Sequence, residues 1–220
     1  MSKKQPLTLS VPCIKELDSL SSDEIVKVLD EYGAHQTIEC LNWKEQFPYR
    51  PLTAISIAHS GTKLYIDFAV RCNYLRAVNY KNNSSVHQDS CVEFFVCPTG
   101  ELPYYNFEFN CIGTIHAAKR MDRHSGTPLS DSELNSIKRY PSCDTKPFEE
   151  KEGMFSWNLM VAIPLDVMGL DYQGKPIAMK GNFYKCADLT SKPHFLSWTP
   201  IDTPNPDFHR PEFFADIVLE

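Results

Sequence analysis

Two glutamates with side chains suited to chemistry lie in the stretch Val86–Gly113, VHQDSCVEFFVCPTGELPYYNFEFNCIG. The pattern predicts two strands joined by a tight connection that contains Pro and Gly. Period-two alternation sends successive side chains to opposite faces of a sheet. One face then carries Glu93, Phe95, Glu108 and Asn110. Two carboxylates and an amide beside an aromatic ring are typical of a polar ligand surface, because a hydrophobic core has no need of them.

The pair Glu93 and Glu108 is open to three interpretations. Paired carboxylates carry out glycoside hydrolysis when they lie roughly 5–10 Å apart across a sugar cleft, and neighbouring strands can supply that separation. Carboxylates also accept hydrogen bonds from sugar hydroxyls, and such charge-assisted bonds are stronger than neutral ones. A solvated strand face is the third alternative. We favour ligand binding, since no GxSxG, GxGxxG or Gly-rich phosphate loop accompanies the pair.

A second candidate surface is the C-terminal run HFLSWTPIDTPNPDFHRPEFF, with four prolines and five aromatic residues in 21 positions. Proline fixes φ, so this loop is expected to be stiff and to lose little entropy on binding. Trp198 and Phe208 could each offer a flat apolar face to a sugar ring. A core position also explains Trp198, together with Phe213 and Phe214. The polar neighbours of Phe208 predict that its ring is partly exposed.

His209 and Arg210 follow Phe208 directly and are candidate donors to ligand hydroxyls. The seven histidines form no HxH, HExxH or HxxxH pattern, and the eight cysteines form no CxxC pair. A zinc centre or redox motif is therefore weakly supported, and no cofactor is predicted. Most of the cysteines lie in strand-like runs and are expected to be small apolar filler.

Length and charge narrow the function classes. A chain of 220 residues suits one domain, and a net charge of −6 without a basic block argues against nucleic-acid or anionic-membrane partners. The start, MSKKQPLTLSVPCIKEL, has no apolar segment of signal-peptide length, and no run reaches transmembrane length. As written the sequence predicts a soluble cytoplasmic protein, or a periplasmic or extracellular one if a leader has been removed.

The spacing of alternating runs predicts an all-β antiparallel sandwich, jelly-roll-like, with eight or nine strands and one or two short helices. Residues 1–36 are expected to form an arm and a short helix, ending at Gly33, that pack on a domain of residues 37–220. Polar loops are expected at Asn73–Ser85 and Arg120–Gly153, with one helical turn capped near Ser130 in the second. Beyond the hairpin, the predicted strands are Thr37–Leu41, Thr53–His59, Leu64–Cys72, Phe155–Ile163, Lys180–Asp188, Phe195–Trp198 and Phe213–Leu219, and Thr114–Lys119 is expected to continue the hairpin's second arm.

Several of these segments, in this order, resemble carbohydrate-binding module family 9, and especially its stand-alone members from gut bacteria. They are VHQDSCVEFFV, YYNFEFNCIGT, LSW and FHRPEFFADIVL, with support from LNWKEQFPYRP and IPLDVMGL. The resemblance covers Thr37 to Glu220. It implies a β-sandwich that binds a mono- or oligosaccharide without transforming it, and family members can also hold structural calcium.

In the founding members of that family two tryptophans sandwich a terminal sugar, and carboxylate, amide and arginine groups bind its hydroxyls. The resemblance implies that Glu93 is the glutamate of the DSxVE motif. It places Val86 and Phe208 at the tryptophan positions and Glu108 at the arginine position. A ligand-sensing or protein-interaction sandwich, including a haem binder with an axial His or Met, remains the alternative to a sugar binder and to a hydrolase.

Overall fold

Two β-sheets and two short α-helices make up residues 8–220 in a computed structural model of the chain. The larger sheet has the order β1-β13-β11-β5-β6-β7-β8, with β12 beside β11, and the smaller sheet has the order β2-β3-β4-β10-β9. The pair β1–β13 is parallel and the other pairs are antiparallel. The strands are β1 (Thr8–Val11), β2 (Ala34–Thr37), β3 (Leu52–His59), β4 (Lys63–Ala77), β5 (Cys91–Cys97), β6 (Tyr104–Asn110), β7 (Ile115–Arg120), β8 (Gly126–Pro128), β9 (Lys138–Pro141), β10 (Phe148–Pro164), β11 (Ile177–Cys186), β12 (Phe195–Ser197) and β13 (Ala215–Leu219); the helices are α1 (Ser22–Tyr32) and α2 (Asp131–Ser136). The predicted all-β sandwich with one or two short helices is confirmed.

The main core lies between the two sheets. On β5, Val92, Phe94 and Val96 are fully buried in it. Their neighbours Cys91, Phe95 and Cys97 belong instead to a second apolar cluster. Alternation along β5 therefore divides the strand between two environments, as the period-two pattern predicts. Burial of each large apolar side chain contributes about 1.5–3 kcal/mol.

The N-terminal region adds α1 to the outer face of the smaller sheet. The helix begins with a capping box between Ser21 and Glu24, and it buries Ile25 and Leu29. These side chains pack with Tyr65 of β4. The helix ends at Gly33, where a Cβ would lie 2.5 Å from the Leu29 carbonyl oxygen, so glycine fits where larger residues would clash. Within the predicted N-terminal arm, residues 1–7 lie outside the described residues and Thr8–Val11 form β1.

Two segments differ from the prediction because strand partners decide where a strand ends. Residues 73–77, expected in a polar loop, continue β4, since β10 pairs with them as far as Phe148. Thr114–Lys119 does not extend the hairpin, because the chain turns at Gly113 and returns as β7 beside β6.

The predicted irregular segment Arg120–Gly153 contains β8, α2, β9 and the start of β10. The predicted strand Thr37–Leu41 is also wrong beyond Thr37. There the chain leaves β3 and Cys40 forms an isolated bridge with Ser197. β2 therefore spans residue 36, where the boundary between the N-terminal arm and the sandwich domain was expected.

Asp89 fixes the loop between β4 and β5. Its carboxylate is fully buried and accepts hydrogen bonds from the backbone N–H groups of Val78, at 3.0 Å, and Asn79, at 2.9 Å. Asn110 Nδ2 donates to the same carboxylate at 3.0 Å, and Arg76 Nε lies 3.3 Å from it. One carboxylate therefore ties the two ends of the loop to each other and to β6.

We expect Asp89→Asn to lower the free energy of unfolding by about 3–5 kcal/mol, because it leaves Arg76 without its buried counter-charge and turns an amide N–H toward backbone donors. Urea denaturation measures the loss. Asp67→Asn is the matched control: Asp67 is also buried, but among the described residues its carboxyl accepts only from Asn158 Nδ2, at 2.8 Å, and burial raises its pKa. That variant should stay within about 1 kcal/mol of the parent. Equal losses in both variants would contradict a special role for Asp89.

Candidate functional site

A pocket of about 320 Å³ opens on the face of the larger sheet that points away from the main core. Its floor is built by alternate side chains of β5, β6, β7 and β11. Its walls come from the loop before β5 and from the Pro-rich C-terminal segment. The lining residues are Asn83, Ser84, Ser85, His87, Glu93, Phe95, Glu108, His116, Arg120, Arg123, His124, Cys186, Asp188, Phe195, Pro206, Asp207, Phe208 and His209.

Strand register brings the polar floor residues into one row. Glu93 on β5 lies directly opposite Glu108 on β6. Glu108 in turn lies opposite His116 on β7. Residues opposite each other on antiparallel strands have Cβ atoms about 4.5–5.5 Å apart. Three adjacent strands therefore place two carboxyl groups and an imidazole next to one another.

Glu93 is 2% exposed, and thiols surround its carboxyl group. Cys186 Sγ donates to Glu93 Oε1 at 3.1 Å, and Cys91 Sγ lies 3.8 Å from the same atom. Burial, and then the neighbouring Glu108, raise the pKa of Glu93 well above its usual value. The neutral acid is therefore favoured, and this form can donate as well as accept a hydrogen bond.

The Glu108 carboxyl group is oriented through an amide. Asn106 Nδ2 donates to Glu108 Oε1 at 2.9 Å, and Asn106 Oδ1 accepts from Arg120 Nε at 2.7 Å. Arg120 also lies 3.3 Å from His116 Nε2. Burial lowers the pKa of His116, so its imidazole is neutral at pH 7. The guanidinium of Arg120 therefore holds this side of the floor in one arrangement.

His209 forms a wall of the pocket as a neutral imidazole. Its Nδ1 is 2.8 Å from the Tyr104 hydroxyl, and its ring centroid is 5.0 Å from that of Phe95. Burial lowers the pKa of His209 to about 3, and the charges of Arg120 and Arg123 act in the same direction. Since Tyr104 occupies Nδ1, Nε2 is the ring nitrogen that remains for a ligand.

Two ion pairs stand at the rim. His87 Nδ1 lies 2.9 Å from Asp188 Oδ2, and that hydrogen bond raises the pKa of His87. Arg123 lies 3.2 Å from Asp207 Oδ1 and links the β7–β8 connection to the C-terminal segment. The rim thus presents charged groups of both signs.

Four of the seven predicted site residues line this pocket: Glu93, Glu108, Phe208 and His209. The predicted partial exposure of Phe208 is wrong, since the residue is 8% exposed. Its ring is stacked on Tyr184, with centroids 4.2 Å apart and planes 8° apart. Trp43 and Phe195 also pack against the Phe208 ring, with centroids 6.2 and 6.1 Å away, so only a small part of the ring is left to line the pocket.

The other three predicted residues do not reach the pocket. Trp198 is 4% exposed in the main core, and its Nε1 donates to Gln36 at 2.9 Å. Asn110 is fully buried and braces the turn after β6, where its Oδ1 accepts from the Thr114 N–H at 2.9 Å. Arg210 pairs with Glu212 at 2.6 Å, outside the lining.

Several lining residues were missed by sequence reasoning, notably His87, His116, Arg120, Arg123 and Asp188. For His116 and Arg120 a signal existed, because period-two alternation places both on one face of a strand over Ile115–Arg120. The wall residue Arg123 and the pair of His87 with Asp188 lie in connections, where no periodicity indicates a direction.

Comparison with known proteins supplies independent findings. The model of carbohydrate-binding family 9 matches residues 23–219. A crystal structure of a candidate carbohydrate-binding protein from Bacteroides uniformis ATCC 8492 is 36% identical, with a TM-score of 0.92 over 98% of this chain and 100% of that chain. No curated protein sequence matches significantly.

Two further structures share the fold at low identity. Both are of a family 9 carbohydrate-binding module from Caldicellulosiruptor kristjanssonii. The glucose complex is 12% identical with a TM-score of 0.61, over 97% of this chain and 96% of that one. The cellotriose complex is 11% identical with a TM-score of 0.57, over 96% and 92%. Among residues 8–220, no helix has the length and apolar character needed to span a bilayer.

The lowered pKa of His209 predicts a pH-dependent stability. An unfolded histidine titrates near pH 6.5, whereas folded His209 titrates near pH 3. The stabilisation from neutral His209 is therefore complete above pH 6.5 and is lost as the pH falls toward 3, by at most about 1.4 kcal/mol per pH unit. We expect His209→Asn to remove about 1–2 kcal/mol of the loss between pH 7 and pH 5, as measured by urea unfolding at each pH.

His124→Asn is the control for this measurement, because it removes an exposed histidine from the rim of the same pocket. It should shift the unfolding curve equally at both pH values. A pH dependence that is unchanged in His209→Asn would show that His209 is not held neutral by the fold.

Proposed function

The chain belongs to carbohydrate-binding family 9, and from this premise we propose that it binds a carbohydrate in the pocket of the larger sheet without transforming it. One observation carries the proposal: Glu93, Glu108, Phe208 and His209 converge on a single pocket from two strands and a Pro-rich segment. Three of these side chains supply polar atoms and one supplies a ring, the combination that a sugar's hydroxyls and apolar face require.

The polar groups suit hydroxyl recognition because they are pre-oriented. The amide of Asn106 fixes the Glu108 carboxyl group, and the Tyr104 hydroxyl fixes the ring of His209. A group that is already ordered loses little entropy when the ligand arrives. Neutral His209 and the neutral acid form of Glu93 can each donate or accept, so they match hydroxyl groups, which also do both.

The aromatic contribution is limited to one side of the ligand. Phe208 and Phe195 line the pocket, and a ring contact is worth on the order of 1 kcal/mol beyond area burial. Val86, which the resemblance places at the other tryptophan position, is fully buried in the second apolar cluster. We therefore expect weak binding of single sugars, around millimolar, or about 4 kcal/mol.

The dimensions favour a small ligand. A volume of about 320 Å³ is at the low end of the roughly 300–1,000 Å³ found for ligand pockets. We infer a monosaccharide, or the terminal one or two units of an oligosaccharide. The glucose and cellotriose complexes of the Caldicellulosiruptor kristjanssonii module are consistent with this class of ligand.

A hydrolase is favoured by one observation, the directly opposed pair Glu93 and Glu108 with the pKa of Glu93 raised. A neutral acid beside a second carboxyl group is the arrangement of glycosidases. We expect no turnover of a panel of chromogenic glycosides. Turnover that disappears in Glu93→Gln would instead establish a glycosidase.

Binding should depend on pocket residues and not on their neighbours in sequence. We expect Glu108→Gln and Phe208→Ala to weaken sugar binding at least fivefold, since a charged acceptor and a stacking face are lost. Chemical-shift titration with glucose, cellobiose and cellotriose measures the dissociation constants, and circular dichroism confirms that each variant is folded.

Arg210→Ala is the matched control, because Arg210 is two residues from Phe208 but pairs with Glu212 outside the pocket. Its affinity should equal that of the parent chain. Folded parent protein without shifts at pocket residues for any glycan in a broader panel, or an equal loss in Arg210→Ala, would overturn the proposed site.

A further inference from the structure

Two thiols and a carboxyl group converge at the floor of the pocket. Cys91 on β5 is the direct cross-strand partner of Cys186 on β11, and Glu93 follows two residues later on the same face of β5. All three residues are buried, with exposures of 0%, 1% and 2% for Cys91, Cys186 and Glu93. Their candidate ligand atoms all lie within 4.8 Å of one another.

The charges around this cluster are not balanced by the protein. Among residues 8–220, no lysine, arginine or histidine forms an ion pair with Glu93. Next to Cys186 in sequence, Lys185 is 1% exposed. Its Nζ donates only to neutral acceptors, the Cys186 carbonyl at 2.7 Å and His194 Nε2 at 2.9 Å. Lys185 pairs with Val92 and so faces the opposite side of the sheet from Glu93, which leaves the buried acid without a counter-ion among residues 8–220. Such burial is costly unless a further charge is present.

We propose that Cys91, Glu93 and Cys186 bind one thiophilic divalent metal ion, with zinc as the expected ion and its fourth position facing the pocket. Tetrahedral zinc with Zn–S of about 2.3 Å and Zn–O of about 2.1 Å places its ligand atoms about 3.6–3.8 Å apart. The Glu93 Oε1 atom lies 3.1 Å from Cys186 Sγ and 3.8 Å from Cys91 Sγ. Small side-chain movements are enough to reach that geometry.

The donor set selects the class of metal. Thiolate ligands suit zinc and other soft ions, whereas calcium and magnesium take oxygen ligands. On binding, the protons of the two thiols and of the Glu93 acid pass to solvent. Three anionic ligands and a dication leave one negative charge at the cluster.

The residues that line the pocket leave the fourth coordination position of the metal ion open. Glu93 and Cys186 line the pocket, and Cys91 closes the cluster from behind. Three protein ligands with one position left for water or a ligand hydroxyl is the arrangement of an accessible zinc ion, as distinct from a closed structural site. This inference does not depend on sugar binding, and metal is measured without sugar.

The test begins with reduced protein that has been stripped by a chelator. After equilibrium dialysis against zinc chloride, elemental analysis should find about one zinc per chain. Cobalt(II) chloride should produce a thiolate-to-cobalt charge-transfer band that saturates at one equivalent and disappears when zinc is added. Stripped, reduced protein that retains no zinc and gives no such band would overturn the proposal, as would a Cys91–Cys186 disulfide in the native protein by mass spectrometry.

Variants locate the site. Cys186→Ser and Cys91→Ser should abolish the band, and Glu93→Gln should weaken cobalt binding by about tenfold or more, because even outer-shell losses cost 10–100-fold. Cys97→Ser is the matched control, a buried cysteine on the same face of β5 that belongs to no such cluster. Glu108→Gln should also keep the band. A band that survives in Cys186→Ser, or is lost in Cys97→Ser while the fold is intact, would refute the assignment.

Discussion

The buried Asp89 carboxylate is the interaction on which the pocket depends. By binding the N–H groups that follow β4 and the amide at the end of β6, it closes the loop that begins at Val78. That loop carries His87 and the Asn83–Ser85 wall, and Asn83 N–H donates to the Ile115 carbonyl of β7 at 2.7 Å. A fully buried carboxylate is retained because several donors satisfy it. One side chain thus converts a polar connection into a fixed wall.

The larger sheet separates two chemical tasks by the direction of alternate side chains. One face of β5 and β6 is entirely apolar and stabilises the sandwich. The other face places buried acids among thiols, amides and neutral imidazoles. Burial of these acids is costly, since Glu93 and Glu108 form no ion pair among the described residues. Proteins usually bury unpaired ionisable groups only where a functional site requires them. This is the physical reason for locating function on this face.

The sequence patterns predicted the features that follow from the alternation of side chains along a strand. They missed the features that depend on which strands pair. The sandwich, and the placement of Glu93 and Glu108 on one face, follow from alternation, whereas their direct opposition is set by the register of β5 and β6. Residues 73–77 were not predicted as strand because pairing with β10, not composition, makes them one. Thr114–Lys119 was predicted as extended chain, but its return beside β6 depends on pairing. Asn110 lies on the expected face but outside the pocket, since Asp89, just before β5, engages its amide. The direction of the Trp198 side chain could not be predicted either, because the Pro-rich run has no side-chain periodicity.

The turn at Val86–Gln88 explains how ligand recognition in this chain would differ from a pair of stacking rings. Val86 is packed inward, so the pocket-facing group of that turn is His87, held by Asp188. Phe208 has one face committed to Tyr184. Stacking energy is therefore reduced on both sides, and discrimination must come from hydrogen bonds. A site built on hydrogen bonds rejects ligands that leave its polar groups unpaired more strongly than a stacking site does. The proposed sugar should accordingly be chosen by the orientation of its hydroxyls, not by the breadth of its apolar face.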